Sequence, residues 1–251
     1  MDYRRHNVGL LHARHDLTGR RVLEIGGDAR GETARMLLDC GAREVIVTNR
    51  AHGVRNARID ERIELKVADA LHLHDVFPAN SFDAAFGVAV AEHIPAPELW
   101  TASLAKVLAP GAAALIHGGP IWSGPHGHHV WVTMDGHDYH FTKRENPIEP
   151  WQHLLHDEKG LVEALVSGKG LPRAHAEAIG AWVYRDTNIN RIPFSALLAR
   201  MGGHGMVVAE VIENIFRRPD AQMMNSLSAG PFGAEERYEI TGAAFFLRKA
   251  E

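Results

Sequence analysis

The sequence predicts an α/β protein with a doubly wound, mostly parallel sheet. Three observations carry that reading. Short apolar runs alternate with helix-patterned segments between residues 20 and 117, which is the grammar of βαβ units. The first run ends in a glycine-bearing turn, Glu24-Ile25-Gly26-Gly27-Asp28-Ala29-Arg30-Gly31. At 251 residues the chain buries a sizeable core without staples.

Residues 21–25 form the first apolar run and read as the first strand. A helix follows over residues 32–40, with Ala34, Met36, Leu37 and Leu38 as its apolar positions and Gly41 as its stop. Residues 44–48 read as the second strand, residues 63–68 as the third and residues 82–90 as a buried fourth. Residues 95–108 read as a helix ending at Ala109-Pro110-Gly111, before a fifth strand at 112–117.

After Pro120 the alternation lapses, and Gly, Pro, His and Trp crowd residues 118–131. Residues 120–205 are therefore expected to form a lid or substrate-side segment, with helices at 158–166 and 194–201 and a turn at 169–173. Strand-like residues 206–216 and 238–248 close a seven-stranded sheet, separated by the Pro-, Gly- and Ser-rich stretch 219–233. The expected organisation is one domain over 1–251, with a core at 20–118 and closing strands at 206–251.

Composition narrows the partners. Hydrophobic residues make up 45% and charged residues 23%, ordinary for a globular protein, and no apolar run approaches the roughly 20 residues that span a bilayer. Residues 1–6 carry basic side chains with no apolar stretch behind them, so they do not read as a secretory signal. A cytoplasmic protein is expected. A net charge of −4 without a basic run longer than two residues leaves no footprint for a nucleic-acid backbone. The single cysteine, Cys40, cannot close an internal disulfide and reads as a core residue.

A glycine turn after a first strand lets the backbone approach a ligand and opens a helix whose amides face it. By itself it is equally a tight turn with no ligand. The blocks around it are more specific. Val22-Leu23-Glu24-Ile25-Gly26, then Val67-Ala68-Asp69-Ala70, then Ser81-Phe82-Asp83-Ala84-Ala85-Phe86, Ala91-Glu92-His93-Ile94-Pro95 and Leu104-Ala105-Lys106-Val107-Leu108-Ala109-Pro110-Gly111 occur in that order. Over roughly residues 20–118 the chain resembles the class I S-adenosylmethionine-dependent methyltransferases, of the type 11 kind.

The resemblance implies a Rossmann-like fold, S-adenosylmethionine as cofactor, and a site made by Glu24, Gly26, Gly27, Asp28, Gly31, Asn49, Asp69, Ala70 and Glu92. Glu24 would lie near the methionine moiety and Asp69 at the adenine end. Asp28 and Arg30 stand where the family commonly has glycine, so the loop takes another path or draws its special angles from Gly27 and Gly31. Asn49 stands where an acidic residue usually holds the ribose; its amide oxygen accepts one hydrogen bond but supplies no charge. A nicotinamide site would need a three-glycine phosphate cradle, and Asp28 would repel a pyrophosphate. The altered loop also keeps open a binding or regulatory protein that retained the fold without catalysis, and a class I fold that uses the cofactor for another reaction.

Histidine is the compositional outlier, with 17 in the chain. Residues 118–131 leave the carboxyl end of the fifth strand, the edge where open α/β sheets bind ligands. His129 or His128 as general base fits an imidazole that titrates near neutrality, with His93 as a further candidate. Histidines 126, 128 and 129, with His117, His137 or His140, could instead hold a divalent metal, although consecutive side chains on an extended segment point opposite ways. Hydrogen bonding to backbone is the third reading. Trp122, Trp131 and Trp151 pave an acceptor pocket or simply pack, and Glu92 and His93 contact ligand or cap the next helix. The run 184–191 caps a helix or carries Arg191 to an acidic acceptor. The expected activity is methyl transfer to an oxygen or nitrogen of a small molecule, with no metal, nucleic acid or membrane partner.

Overall fold

The computed structural model describes residues 2–51 and 53–251; Met1 and His52 lie outside them. The chain forms two units. The first holds the chain up to Gly118 with Leu198–Ile212 and Ala243–Glu251, and the second holds Gly119–Leu197 with Glu213–Gly242.

The first unit begins with helix α1 (Tyr3–Arg14), whose N-cap Asp2 accepts from the Arg4 amide at 2.9 Å. Strand β1 (Arg21–Ile25) leads through the glycine turn into α2 (Glu32–Asp39). Gly41, at a φ of 92°, ends that helix by donating to the Leu38 carbonyl at 2.9 Å. Strands β2 (Glu44–Asn49), β3 (Ala57–Asp60) and β4 (Ile63–Val67) follow, then the short helix α3 (Leu73–Val76) and strand β5 (Phe82–Gly87). Helix α4 (Pro97–Val107) starts on a proline, whose missing N–H costs nothing there. It runs directly into β6 (Leu108–Gly118).

In the second unit β7 (Trp131–Met134) and β8 (His137–His140) form a hairpin around Asp135 and Gly136, both at positive φ. Helices α5 (Gln152–Leu155), α6 (Glu158–Lys169) and α7 (Arg173–Arg185) follow. Trp122, Val130, Leu161, Leu165, Ile179 and Val183 form the core of this unit. Helix α8 (Phe194–Met201) and strand β9 (Met206–Ile215) carry the chain back, and α9 (Ala221–Ser228) precedes the last strand, β10 (Ile240–Lys249).

The main sheet has eight strands in the order β3-β4-β2-β1-β5-β6-β10-β9. Pairs β1–β2, β2–β4, β1–β5 and β5–β6 are parallel, and β10 runs antiparallel to β6. The order reverses between β2 and β5, on either side of β1. In open α/β sheets such a switch, at the carboxyl ends of the strands, is where ligands bind. Val22, Val45, Val47, Leu65, Phe86, Leu115 and Phe246 pack with Leu37 of α2 beneath it.

Several elements differ from expectation, among them the strand after α4, which begins at Leu108 and not at 112. The eighth strand, β3, pairs antiparallel to β4 at the sheet edge, and its Ala57-Arg58-Ile59-Asp60 is too short and too polar to announce itself. The fourth-strand run stops at Gly87, because Ala89 takes a φ of 54° and turns the chain into a 3-10 turn at Ala91–His93. Cys40 is partly buried and packs against the core from the end of α2. Among the described residues no helix is long and apolar enough to cross a membrane.

Candidate functional site

The site of the first unit is built where β1 ends. Glu24 is 3% exposed, its carbonyl accepts from the Thr48 hydroxyl at 3.0 Å, and its side chain hydrogen-bonds Thr33. Its Oε2 is buried without a hydrogen-bond partner. Burial above all, and then the charge of Asp28, push the carboxyl up to about 8, against the Thr33 bond and Arg4. A buried carboxylate with an open lone pair is costly by itself and favourable beside a cation.

The glycines divide the work over it. Gly26, at a φ of 73°, makes the turn and donates to the Thr48 carbonyl at 2.8 Å. Gly27 needs no special φ but allows the closest approach, since a Cβ there would lie 2.5 Å from Val47 Cγ1 and 2.6 Å from Glu24 Cδ. Gly31, at a φ of 66°, is the N-cap of α2. The special angles therefore belong to Gly26 and Gly31, not to Gly27 as the sequence suggested.

Asp28 is spent inside the loop. Its carboxylate accepts from the amides of Arg30 at 2.8 Å and Glu32 at 3.3 Å, so the start of α2 already faces a negative group. Arg4 of α1 reaches the same place, 2.8 Å from Glu32 Oε2 and 3.9 Å from Asp28 Oδ2. Sequence reasoning gave Arg4 no part in the site. Nothing local signals it, because α1 is joined to the loop only by the fold.

On the other side of the loop, Asn49 donates through Nδ2 to the Gly27 carbonyl at 2.9 Å and accepts at Oδ1 from the Ala51 amide at 2.7 Å. Its amide is a brace of the loop before it is anything to a ribose. Asp69 caps the 3-10 turn Ala70–His72 by accepting from the Leu71 amide at 3.0 Å, and Arg50 lies 2.9 Å from its Oδ2. Arg50 is a second residue that the sequence did not single out.

Glu92 is 3% exposed and sits 3.8 Å from His93 Nε2. It lies against the backbone at the end of β6, where a Cβ on Gly118 would stand 3.1 Å from Glu92 Oε2. The Val90 amide donates to the His117 carbonyl at 3.1 Å, tying the two strand ends together.

In the second unit the histidines separate. His128 is wholly buried; its Nδ1 accepts from the Val130 amide at 3.1 Å. Burial and the neighbouring histidines 153, 126 and 129 push it well below the ordinary imidazole value. Both ring nitrogens face protein groups, Nε2 standing 3.4 Å from Asn146 Nδ2, which favours the packing reading of His128 over the base. His153 is likewise buried, donates from Nε2 to the Trp122 carbonyl at 2.8 Å, and is pushed down to about 3 by burial. His129 takes a φ of 47°, which breaks the extended alternation expected of consecutive residues. Its Nδ1 lies 3.1 Å from the Gly127 carbonyl; a carbonyl only accepts, so the hydrogen is on Nδ1 and the lone pair on Nε2.

Of the tryptophans, Trp122 and Trp151 are core residues and Trp131 is exposed. Arg191 is turned inward, donating to the carbonyls of Val183 at 2.8 Å and Asp186 at 2.5 Å, which favours the capping reading of its run.

The reversed strand order and the turn after β1 are those of the class I methyltransferase fold, which implies S-adenosylmethionine as the cofactor. Residues 23–116 match the family model of the methyltransferase domain. Among solved structures, the S-adenosylmethionine-dependent methyltransferase of Mesorhizobium loti is 18% identical, with a TM-score of 0.58 and 96% of each chain covered. The YcgJ protein of Bacillus subtilis is 14% identical at a TM-score of 0.53, covering 98% of this chain and 99% of that one. The [4+2]-cyclase SpnF is 14% identical at 0.54, with 98% and 80% covered. No curated protein matches the chain.

Proposed function

We propose that this enzyme moves the methyl group of S-adenosylmethionine onto an oxygen or nitrogen of a small-molecule acceptor. The observation that carries the cofactor side is Glu24, a buried carboxyl with a partnerless oxygen under the Gly26-Gly27 turn. That arrangement fits an ammonium group, and the helix start already capped by Asp28 suits a ligand without phosphate. Glu24 would hold the amino end, Gly27 would let the backbone close on the ligand, and Asn49, Asp69 and Ala70 would border the nucleoside end.

When bound, the cofactor supplies an electrophilic methyl on a positively charged sulfur. The protein holds the acceptor in line with that methyl, which accounts for most of the acceleration. A side-chain base takes the acceptor proton. His93, beside the buried Glu92 in the first unit, is one candidate for that task. A net charge of −4 supports a small acceptor over a nucleic acid.

Calorimetry with S-adenosylmethionine, S-adenosylhomocysteine and NAD tests the reading. Binding of both sulfur nucleotides with NAD silent is expected, and no binding of either below millimolar concentration would end it. Formation of S-adenosylhomocysteine in the presence of alcohols, phenols or amines then tests the acceptor class.

A further inference from the structure

Tyr3, in the first turn of α1, has its hydroxyl hydrogen-bonded to His117 Nδ1 and 3.0 Å from Nε2. The two rings meet edge to face with centroids 4.7 Å apart. Tyr3 is 43% exposed and His117 only 4%, so a part-buried phenol hydroxyl is backed by an enclosed imidazole.

The pair stands on the cofactor side of the sheet. The Val90 amide holds the His117 carbonyl, and the Val90 side chain lies 2.9 Å from where a Gly26 Cβ would be. Arg4, next to Tyr3, reaches Glu32 and Asp28 of the glycine loop. The carboxylate of Glu92 lies behind, against the backbone that follows His117. Burial and the charge of Glu92 push the Tyr3 phenol above its ordinary value. A phenol held neutral in this way is a conduit for a proton and not its final resting place.

We propose that Tyr3 and His117 form the proton relay for the methyl acceptor. This rests on the methyl-transfer reading above and names the groups that complete it. The acceptor X–H donates its hydrogen bond to the Tyr3 oxygen. As the X lone pair forms the new carbon–X bond, the carbon–sulfur bond breaks and its electron pair returns to sulfur. The X–H proton passes to Tyr3 as the phenolic proton passes to His117. The positive charge moves from sulfur to an imidazolium near Glu92, and atoms and charge balance.

Tyr3→Phe and His117→Asn test the relay in the full chain. Both variants should bind S-adenosylhomocysteine within about twofold of wild type; failure of the wild type itself to bind would instead count against the cofactor reading. With a panel of alcohols, phenols and amines, kcat should fall about 100- to 1000-fold in each, the range that proton transfer commonly supplies, and His117→Asn should leave KM nearly unchanged. Histidine-selective 15N spectra of the S-adenosylhomocysteine complex should show the His117 ring displaced in Tyr3→Phe. Wild-type turnover by Tyr3→Phe overturns the relay, and so does an unmoved His117 resonance, whether or not the panel contains an acceptor.

Discussion

Asn49 at the end of β2 donates to the carbonyl of Gly27 across 2.9 Å, and that bond holds the crest of the glycine turn over Glu24. The position is one where related enzymes carry an acid, so Asn49→Asp looks like a repair. The structure makes it a defect, because a carboxylate cannot donate and would face a carbonyl oxygen. Losing a part-buried hydrogen bond costs about 1 kcal/mol or more. S-adenosylmethionine affinity measured by calorimetry should weaken about 5- to 10-fold, and an affinity equal to or better than wild type would refute the bracing role.

Glu24 makes cofactor binding depend on pH. With the carboxyl at about 8 before binding, a cationic ligand must displace its proton, and the displacement becomes easier as pH rises. Between pH 6 and 7.5 the affinity should increase roughly 20-fold, and Glu24→Gln should flatten that slope. For the protein alone the sign is opposite. A carboxyl raised from 4.5 to about 8 contributes stability that is fully present below pH 4.5 and is lost as pH rises toward 8, so thermal melts without ligand should show Glu24→Gln gaining on wild type across that window.

Gly27→Ala places a methyl group 2.5 Å from Val47 Cγ1 and 2.6 Å from Glu24 Cδ. Overpacking of this kind costs about 1–3 kcal/mol. The expected drop in Tm is about 3–10 °C for a chain of this size, with cofactor affinity lost in parallel. Gly53→Ala, in open space but at a φ of 85°, should leave cofactor affinity alone, which separates crowding at the site from backbone strain elsewhere.

His153 sets an acid limit on the second unit. Burial moves its imidazole from 6.5 to about 3, so the stability that it contributes as a neutral ring is present above pH 6.5 and is lost as pH falls toward 3. Hydrogen-exchange protection, corrected for the slower intrinsic exchange in acid, should fall in α6 and α7 and around Trp122 between pH 6 and 4. Protection there that stays constant over that interval would contradict a buried neutral His153.

The central strands were legible because parallel strands buried on both faces read as continuous apolar runs, as in Val22-Leu23 and Val45-Ile46-Val47. Helix α7 was not, since its buried face is His175, Ala176, Ile179, Gly180 and Val183, with little of the usual leucine signal. The hairpin around Asp135-Gly136 did carry a signal, the Asp-Gly turn between alternating residues, although the density of histidine and glycine before it obscured the pattern.

The glycine turn and Glu24 belong to one contiguous segment, so their chemistry follows from residue type and order: an acid at a strand end, then glycines, then a helix. That much the sequence determined, together with the cofactor class to which the block 82–111 points. The tertiary structure decided the rest. Asp28 became a helix cap, Asn49 a brace and Arg50 the partner of Asp69, and Tyr3 met His117 across 114 positions of sequence. Periodicity encodes which face of an element is buried, whereas the partner that a polar group meets depends on how distant elements are stacked, and no local pattern specifies that.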